Sequence, residues 1–172
     1  MSNFLNEKTA KLAPYVPGEQ PKDKKYIKLN TNESPFPPSK RAIKGAYREA
    51  KRLQLYSDPE LTPLVKELAE LYGVERENVI ATNGSDEVLS FAFMAYGDDG
   101  VAFPDITYGF YKVFAQVNNI PYRTIPLRED LSINVEDYLG VNATIFIANP
   151  NAPTGILLTL DEIEKIVKSN PD

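Results

Sequence analysis

Between residues 79 and 169, short apolar segments alternate with segments of helical periodicity, and this alternation limits the choice of fold more than any other feature. Near-continuous apolar strands separated by helices are typical of parallel strands buried between helix layers. The sequence therefore predicts an α/β fold of three layers, α/β/α, in which a mostly parallel sheet lies between two layers of helices. The predicted strands are 79–82, 101–103, 122–127 and 144–148, and the predicted helices are 86–96, 107–118 and 159–169.

The first 38 residues differ from the rest because six prolines fall among them. Each proline fixes its own backbone torsion and disfavours helix at the residue before it. We expect an extended amino-terminal arm over 1–38, where only residues 26–29 suit a short strand, and a domain over 39–172. The domain opens with two predicted helices, 40–53 after a Ser39 N-cap and 61–72 ended by Gly73.

Composition excludes several classes of function. The 172 residues carry 19 basic and 24 acidic side chains, and this net charge of −5 argues against nucleic acid or an anionic membrane as the main partner. The absence of Cys and His excludes thiolate nucleophiles, Ser/His/Asp catalysis and His or thiolate metal sites. No apolar run suits a membrane span and the start lacks the pattern of a signal peptide, so we expect a cytoplasmic protein.

The first loop with chemical potential joins the predicted strand 79–82 to the helix that follows. Gly84 permits a tight turn, and the free amides near Ser85 and Asp86 lie at the positive end of the helix dipole, which suits an anion such as a phosphate. An ordinary helix cap is the alternative, because a serine followed by acidic residues is a common helix start. The phosphate-binding pattern of nucleoside triphosphatases is absent.

Two further loops follow strands 101–103 and 144–148. The first contains Tyr108, whose ring can offer its face to a planar ligand, whereas Phe110 and Tyr111 suit the core. The second, residues 149–155, is rich in turn-forming residues and includes the amide side chain of Asn151. In parallel sheets ligands bind beyond the carboxyl ends of the strands. The three loops together predict a site for a flat, phosphorylated, hydrogen-bonding cofactor.

Five segments carry a family resemblance that covers essentially the whole chain. Asn-Gly-Ser-Asp-Glu at 83–87 and Asn-Pro-Asn-Ala-Pro-Thr-Gly at 149–155 resemble landmarks of the fold-type I pyridoxal-phosphate aminotransferases. The segments 12–18, 28–35 and 55–59 are similar to the arm and two further motifs of the branch that acts on histidinol phosphate. The resemblance implies the first half of the fold-type I large domain and pyridoxal 5′-phosphate as cofactor.

The resemblance also implies roles for single residues around the cofactor. Gly84, Ser85 and Asp86 would hold its phosphate, chiefly through backbone amides, and Tyr108 would stack on its ring. The family usually places an asparagine immediately before Pro-Thr-Gly to bind the 3′ oxygen of the cofactor. Alanine stands there at position 152. Either Asn151, one residue earlier, takes that role through a shifted loop, which is the alternative we expect, or that hydrogen bond is lost.

Three further residues resemble family positions outside those loops. Tyr56 is similar to a tyrosine that reaches the cofactor phosphate of the neighbouring subunit, which implies a homodimer with shared sites. Tyr15 and Asn32 match positions near the substrate, and Tyr15 would contact the substrate phosphate. No metal is expected.

The expected reaction is transamination of L-histidinol phosphate with 2-oxoglutarate, a step of histidine biosynthesis. No lysine of this chain matches the Schiff-base lysine of the family, so we expect an amino-terminal fragment that is inactive alone. Another fold-type I enzyme, such as an aromatic aminotransferase or a phosphothreonine decarboxylase, is one alternative. A non-catalytic module that binds a phosphorylated ligand is another.

Overall fold

The computed structural model describes residues 4–10, 12, 18–24 and 26–171. They divide into two compact units, one with the described residues of Met1–Leu12 and Thr82–Asp172, the other with those of Ala13–Ala81. The predicted division into 1–38 and 39–172 stays a prediction. The helices are α1 (Glu7–Ala10), α2 (Lys40–Ala50), α3 (Thr62–Tyr72), α4 (Ser85–Tyr96), α5 (Phe110–Asn118) and α6 (Leu160–Ser169), and the strands are β1 (Val101–Pro104), β2 (Tyr122–Ile125) and β3 (Thr144–Ile145).

A parallel sheet organises the unit that contains residues 82–171. Its strands lie in the order β2-β1-β3, and β1 is parallel to both neighbours. Val101 is in register with Tyr122 on one side and with Thr144 on the other. The predicted parallel sheet is confirmed, and the carboxyl ends of its strands all lie at one edge.

Side chains of β1 alternate between two separate cores, one on each face of the sheet. Val101 and Phe103 join a cluster with Phe93 of α4 and Phe114 of α5. Ala102 instead joins the cluster that contains Ile166 of α6. Because helices cover both faces, the predicted α/β/α layering is confirmed.

The other unit contains the two helices predicted after the arm. The side chain of Ser39 accepts a hydrogen bond from the Ala42 amide and begins α2. Helix α3 ends at Gly73, whose φ of 66° is the left-handed conformation that glycine adopts readily. Both helices are confirmed, although α2 ends three residues earlier than predicted. Residues 26–29 form no strand.

Two sequence predictions at the sheet edge need correction. Residues 79–82 were expected to form a strand, but they pair with no strand in the described part of the chain, and Ile80 is largely exposed. Apolar β-branched residues favour extended backbone, yet a strand also requires a hydrogen-bonding neighbour.

The helix predicted from residue 107 begins at Phe110, because residues 105–109 form a turn held by the Asp105 side chain.

Helix α6 begins with the predicted capping box. The Thr159 hydroxyl and the Glu162 carboxylate each bond the other residue's backbone amide. The Thr159 hydroxyl also donates a hydrogen bond of 2.8 Å to the Glu162 carboxylate. The bonds that this carboxylate accepts from the Thr159 amide and hydroxyl hold the pKa of Glu162 below its ordinary value of 4.5. The charged carboxylate is therefore the form that stabilises the helix start.

A pH dependence follows from this lowered pKa. A depressed carboxyl pKa contributes stability that is present above pH 4.5 and is lost as the pH falls through the lower folded-state value. We expect Glu162→Gln to reduce the loss of unfolding free energy between pH 6 and pH 3, measured by urea denaturation. Glu164→Gln is the matched control on the same helix. Equal pH dependence in wild type and Glu162→Gln would show that the capping box does not titrate with folding.

Candidate cofactor site

Three loops meet at the carboxyl edge of the sheet. Loop A, residues 82–87, leads into α4; loop B, residues 105–109, joins β1 to α5; loop C, residues 149–155, lies between β3 and α6. All three belong to the same compact unit. The geometry of each loop decides what the edge can bind.

Loop A presents the first turn of α4 without a side-chain cap. Gly84 is the N-cap residue, with φ 87° and ψ 169°. Because glycine has no side chain, no side-chain hydrogen bond caps the helix. A Cβ atom at Gly84 would meet nothing within 4 Å, so the turn is open on the side that this atom would face. The Glu87 carboxylate accepts a hydrogen bond from the Asn83 amide at 2.8 Å. The uncapped amides at the positive end of a twelve-residue helix fit a phosphate group.

Tyr108 of loop B is joined directly to loop A. Its hydroxyl donates a hydrogen bond of 2.6 Å to Oδ1 of Asp86. Its ring lies 5.8 Å from the Phe110 ring at an interplanar angle of 22°, and it meets the Tyr111 ring edge-on. The aromatic plane beside the helix start is therefore supported by neighbouring rings and fixed at its hydroxyl.

Loop C is joined to loop B through Asn151, which is only 3% exposed. Its Oδ1 accepts a hydrogen bond of 2.8 Å from the Thr107 hydroxyl, and its Nδ2 donates to the Ile106 carbonyl at 2.9 Å. A third, longer bond joins Nδ2 to the Thr154 hydroxyl at 3.3 Å. The three loops thus form one hydrogen-bonded unit, from Asp86 through Tyr108 and Thr107 to Asn151.

The structure also shows two residues of loop B that the sequence reasoning missed. The Asp105 carboxylate accepts from the Ile106 amide and from the Leu127 amide just beyond β2, which fixes the base of the loop. Thr107 was assigned to a helix, whereas it is a partner of Asn151. The only signal in the sequence was a pair of polar side chains directly after a buried strand.

The other predicted site residues lie in the second unit or outside the described residues. Tyr56 is fully exposed, and Asn32 is exposed with a φ of 53°. Tyr15 falls outside the described residues. Their predicted roles stay predictions.

Neither a metal site nor a membrane span appears in the described ranges. No three acidic side chains there approach one another closely enough to hold a metal ion. None of the helices described is both long and apolar enough to cross a membrane.

Comparison with known proteins identifies the family. A family model for aminotransferase class I and II matches residues 24–171. The chain belongs to this family, as the motifs in loops A and C predicted.

Individual relatives give a closer comparison. The chain is 50% identical over 176 residues to the histidinol-phosphate aminotransferase of Brachyspira hyodysenteriae, covering 100% of this chain and 49% of that protein. It is 49% identical to the enzyme of the same description from Clostridium acetobutylicum, covering 100% of this chain and 50% of that protein. The chain thus spans about half the length of these curated relatives.

A solved structure supports the fold. The crystal structure of histidinol-phosphate aminotransferase from Sinorhizobium meliloti, in complex with pyridoxal-5′-phosphate, matches with a TM-score of 0.73 at 21% identity. The match covers 81% of this chain and 40% of that one. This likeness supports the parallel α/β fold described above.

Proposed function

We propose that loops A, B and C together form the pyridoxal 5′-phosphate site of an aminotransferase that acts on L-histidinol phosphate with 2-oxoglutarate as amino acceptor. The observation that carries the proposal is the pair of hydrogen bonds that connects the three loops. Tyr108 bonds Asp86 of loop A, and the neighbouring Thr107 bonds Asn151 of loop C. These bonds bring an uncapped helix start and an aromatic ring to the same edge of the sheet. The similarity to histidinol-phosphate aminotransferases supports the substrate.

The helix-start amides and the aromatic ring suit the phosphate and the planar ring of the cofactor. Gly84, Ser85 and Asp86 offer the helix-start amides to the phosphate, and the Asp86 carboxylate is turned to the Tyr108 hydroxyl. Tyr108 supplies the stacking face. Once bound, the cofactor provides an electron sink for chemistry at the substrate carbon, while the protein positions it and sets its electrostatics.

The second unit contributes the proposed subunit and substrate contacts. We propose a homodimer in which Tyr56 reaches the cofactor phosphate of the neighbouring subunit. Its full exposure leaves the side chain available for such a contact. Tyr15 and Asn32 are proposed to lie near the substrate, with Tyr15 at its phosphate.

Acid-base chemistry needs a lysine, and we propose that the catalytic lysine is not among the residues of this chain. Within the described residues 82–171, Lys112, Lys165 and Lys168 are all exposed, whereas a catalytic lysine has a buried setting beside the cofactor. We expect the 172-residue chain to bind the cofactor without transaminating. A coupled assay that detected cofactor-dependent turnover by the chain alone would refute this.

Substrate preference is tested in the protein expressed from its whole reading frame. We expect a higher kcat/KM for histidinol phosphate than for phenylalanine, with 2-oxoglutarate as acceptor. Preference for phenylalanine would support an aromatic aminotransferase instead. Binding of pyridoxal phosphate without any turnover would support the non-catalytic module.

A further inference from the structure

We propose that Asn151 is a positioning residue that fixes the Tyr108 ring and does not itself bind the cofactor. The proposal rests on the proposed function, because it concerns how the same site holds a planar ligand. It replaces the expectation that Asn151 serves the 3′ oxygen of the cofactor. It also adds a role for Thr107.

The hydrogen-bonding capacity of the Asn151 amide is the first argument. A side-chain amide has two N–H donors. Both donors of Nδ2 are engaged, one with the Ile106 carbonyl at 2.9 Å and one with the Thr154 hydroxyl at 3.3 Å. Donation to a cofactor oxygen would break one of these bonds in a side chain that is 3% exposed. An unpaired buried partner is costly, so the amide stays with the protein.

The position of the bonded groups is the second argument. Ile106 and Thr107 immediately precede Tyr108, and both are bonded to the Asn151 side chain. The far end of the Tyr108 side chain is bonded to Asp86. Loop C therefore fixes the chain directly before Tyr108, and loop A fixes the hydroxyl at the far end of the ring. Together these bonds limit the tilt of the ring over the site.

Loop C is itself rigid enough to serve as the anchor. The backbone amide of Asn151 donates to the Ile156 carbonyl at 2.8 Å, and its backbone carbonyl accepts from the Gly155 amide at 2.7 Å. Backbone bonds on both sides of the residue fix the direction of its side chain. Removing the side chain is expected to release loop B while leaving loop C closed.

The test compares Asn151→Ala with Asn149→Ala. Asn149 lies in the same loop and bonds the Leu158 amide and carbonyl, both outside loop B. We expect backbone order parameters of residues 106–108, measured by NMR without ligand, to fall from about 0.85 towards 0.6 only in Asn151→Ala. Unchanged order parameters in Asn151→Ala, or an equal fall in Asn149→Ala, would overturn the proposal.

A milder pair of variants covers the case in which Asn151→Ala does not fold. Thr107→Val removes the hydroxyl that bonds Asn151, and Thr107→Ser keeps it. We expect the backbone order parameters of residues 106–108 to fall in Thr107→Val and to stay at the wild-type values in Thr107→Ser. Equal order in the two Thr107 variants would contradict the proposal.

Ligand binding separates this proposal from the proposed function. The probe is pyridoxamine 5′-phosphate, which has no aldehyde to react with lysines and is followed by its own fluorescence. We expect Asn151→Ala to weaken its binding about five- to tenfold and Asn149→Ala to weaken it less than twofold. If the wild-type chain does not bind the probe, the proposed function fails, whereas loss of order confined to Asn151→Ala would still establish the anchoring of loop B.

Discussion

Replacing Gly84 by alanine should weaken the binding of pyridoxamine 5′-phosphate by about one to two orders of magnitude. The φ of 87° and ψ of 169° at Gly84 lie in a backbone region that is nearly exclusive to glycine. Holding another residue there costs about 1–3 kcal/mol, and each 1.4 kcal/mol is a tenfold change in affinity. Because no atom lies within 4 Å of the added Cβ, the effect comes from backbone conformation and not from a clash.

We expect loop A to relax in Gly84→Ala, because the native conformation at position 84 is strained for alanine. The helix-start amides then turn away from the site, and binding of the probe weakens. Gly140→Ala is the matched control, because Gly140 also has a positive φ of 63° and open space around its Cβ. Full affinity in Gly84→Ala, or an equal loss in Gly140→Ala, would contradict the assignment of loop A as the phosphate cradle.

Loss of the Tyr108 ring should have the second largest effect on binding. We expect Tyr108→Ala to weaken pyridoxamine 5′-phosphate binding about tenfold, because an aromatic pair contributes about 0.5–1.5 kcal/mol beyond the apolar area that it buries. Tyr108→Phe keeps the ring but loses the 2.6 Å hydrogen bond to Asp86, so a two- to threefold loss of affinity is expected. Fluorescence titration of the three proteins gives both values.

The two Tyr108 variants also separate stacking from a purely structural role. A structural role would lower the unfolding free energy of Tyr108→Ala without changing affinity once the protein is folded. Tyr122→Ala serves as the control, since Tyr122 stacks on Phe103 within the sheet and lies outside the three loops. Equal affinity of wild type, Tyr108→Ala and Tyr122→Ala would exclude Tyr108 from the site.

Local patterns in the sequence were enough to predict most of this fold. Local signals predicted α3, α4 and α6 to within about a residue at each end, because each of these helices has a start or stop signal in the sequence. Gly73 ends α3 and the Thr159–Glu162 capping box begins α6 through hydrogen bonds to residues a few positions away in the chain. Such signals can be recognised without knowing the tertiary structure.

Features that depend on distant partners could not be predicted in the same way. Residues 79–82 have a strand-like composition, but strand formation depends on a neighbour that no local pattern specifies. Asn151 bonds residues 44 and 45 positions away, and Tyr108 bonds Asp86 across 22 positions. The loops were correctly expected at one edge of the sheet, yet the bonds that connect them required the structure.

The central claim, that loops A, B and C form one binding site, is tested most directly by NMR chemical-shift mapping. Titration of the isotopically labelled chain with pyridoxamine 5′-phosphate should shift the backbone amides of residues 84–87, 106–109 and 151–155 together, with one common dissociation constant. Shifts confined to a single loop, different dissociation constants for the three loops, or shifts centred elsewhere in the chain would contradict the account.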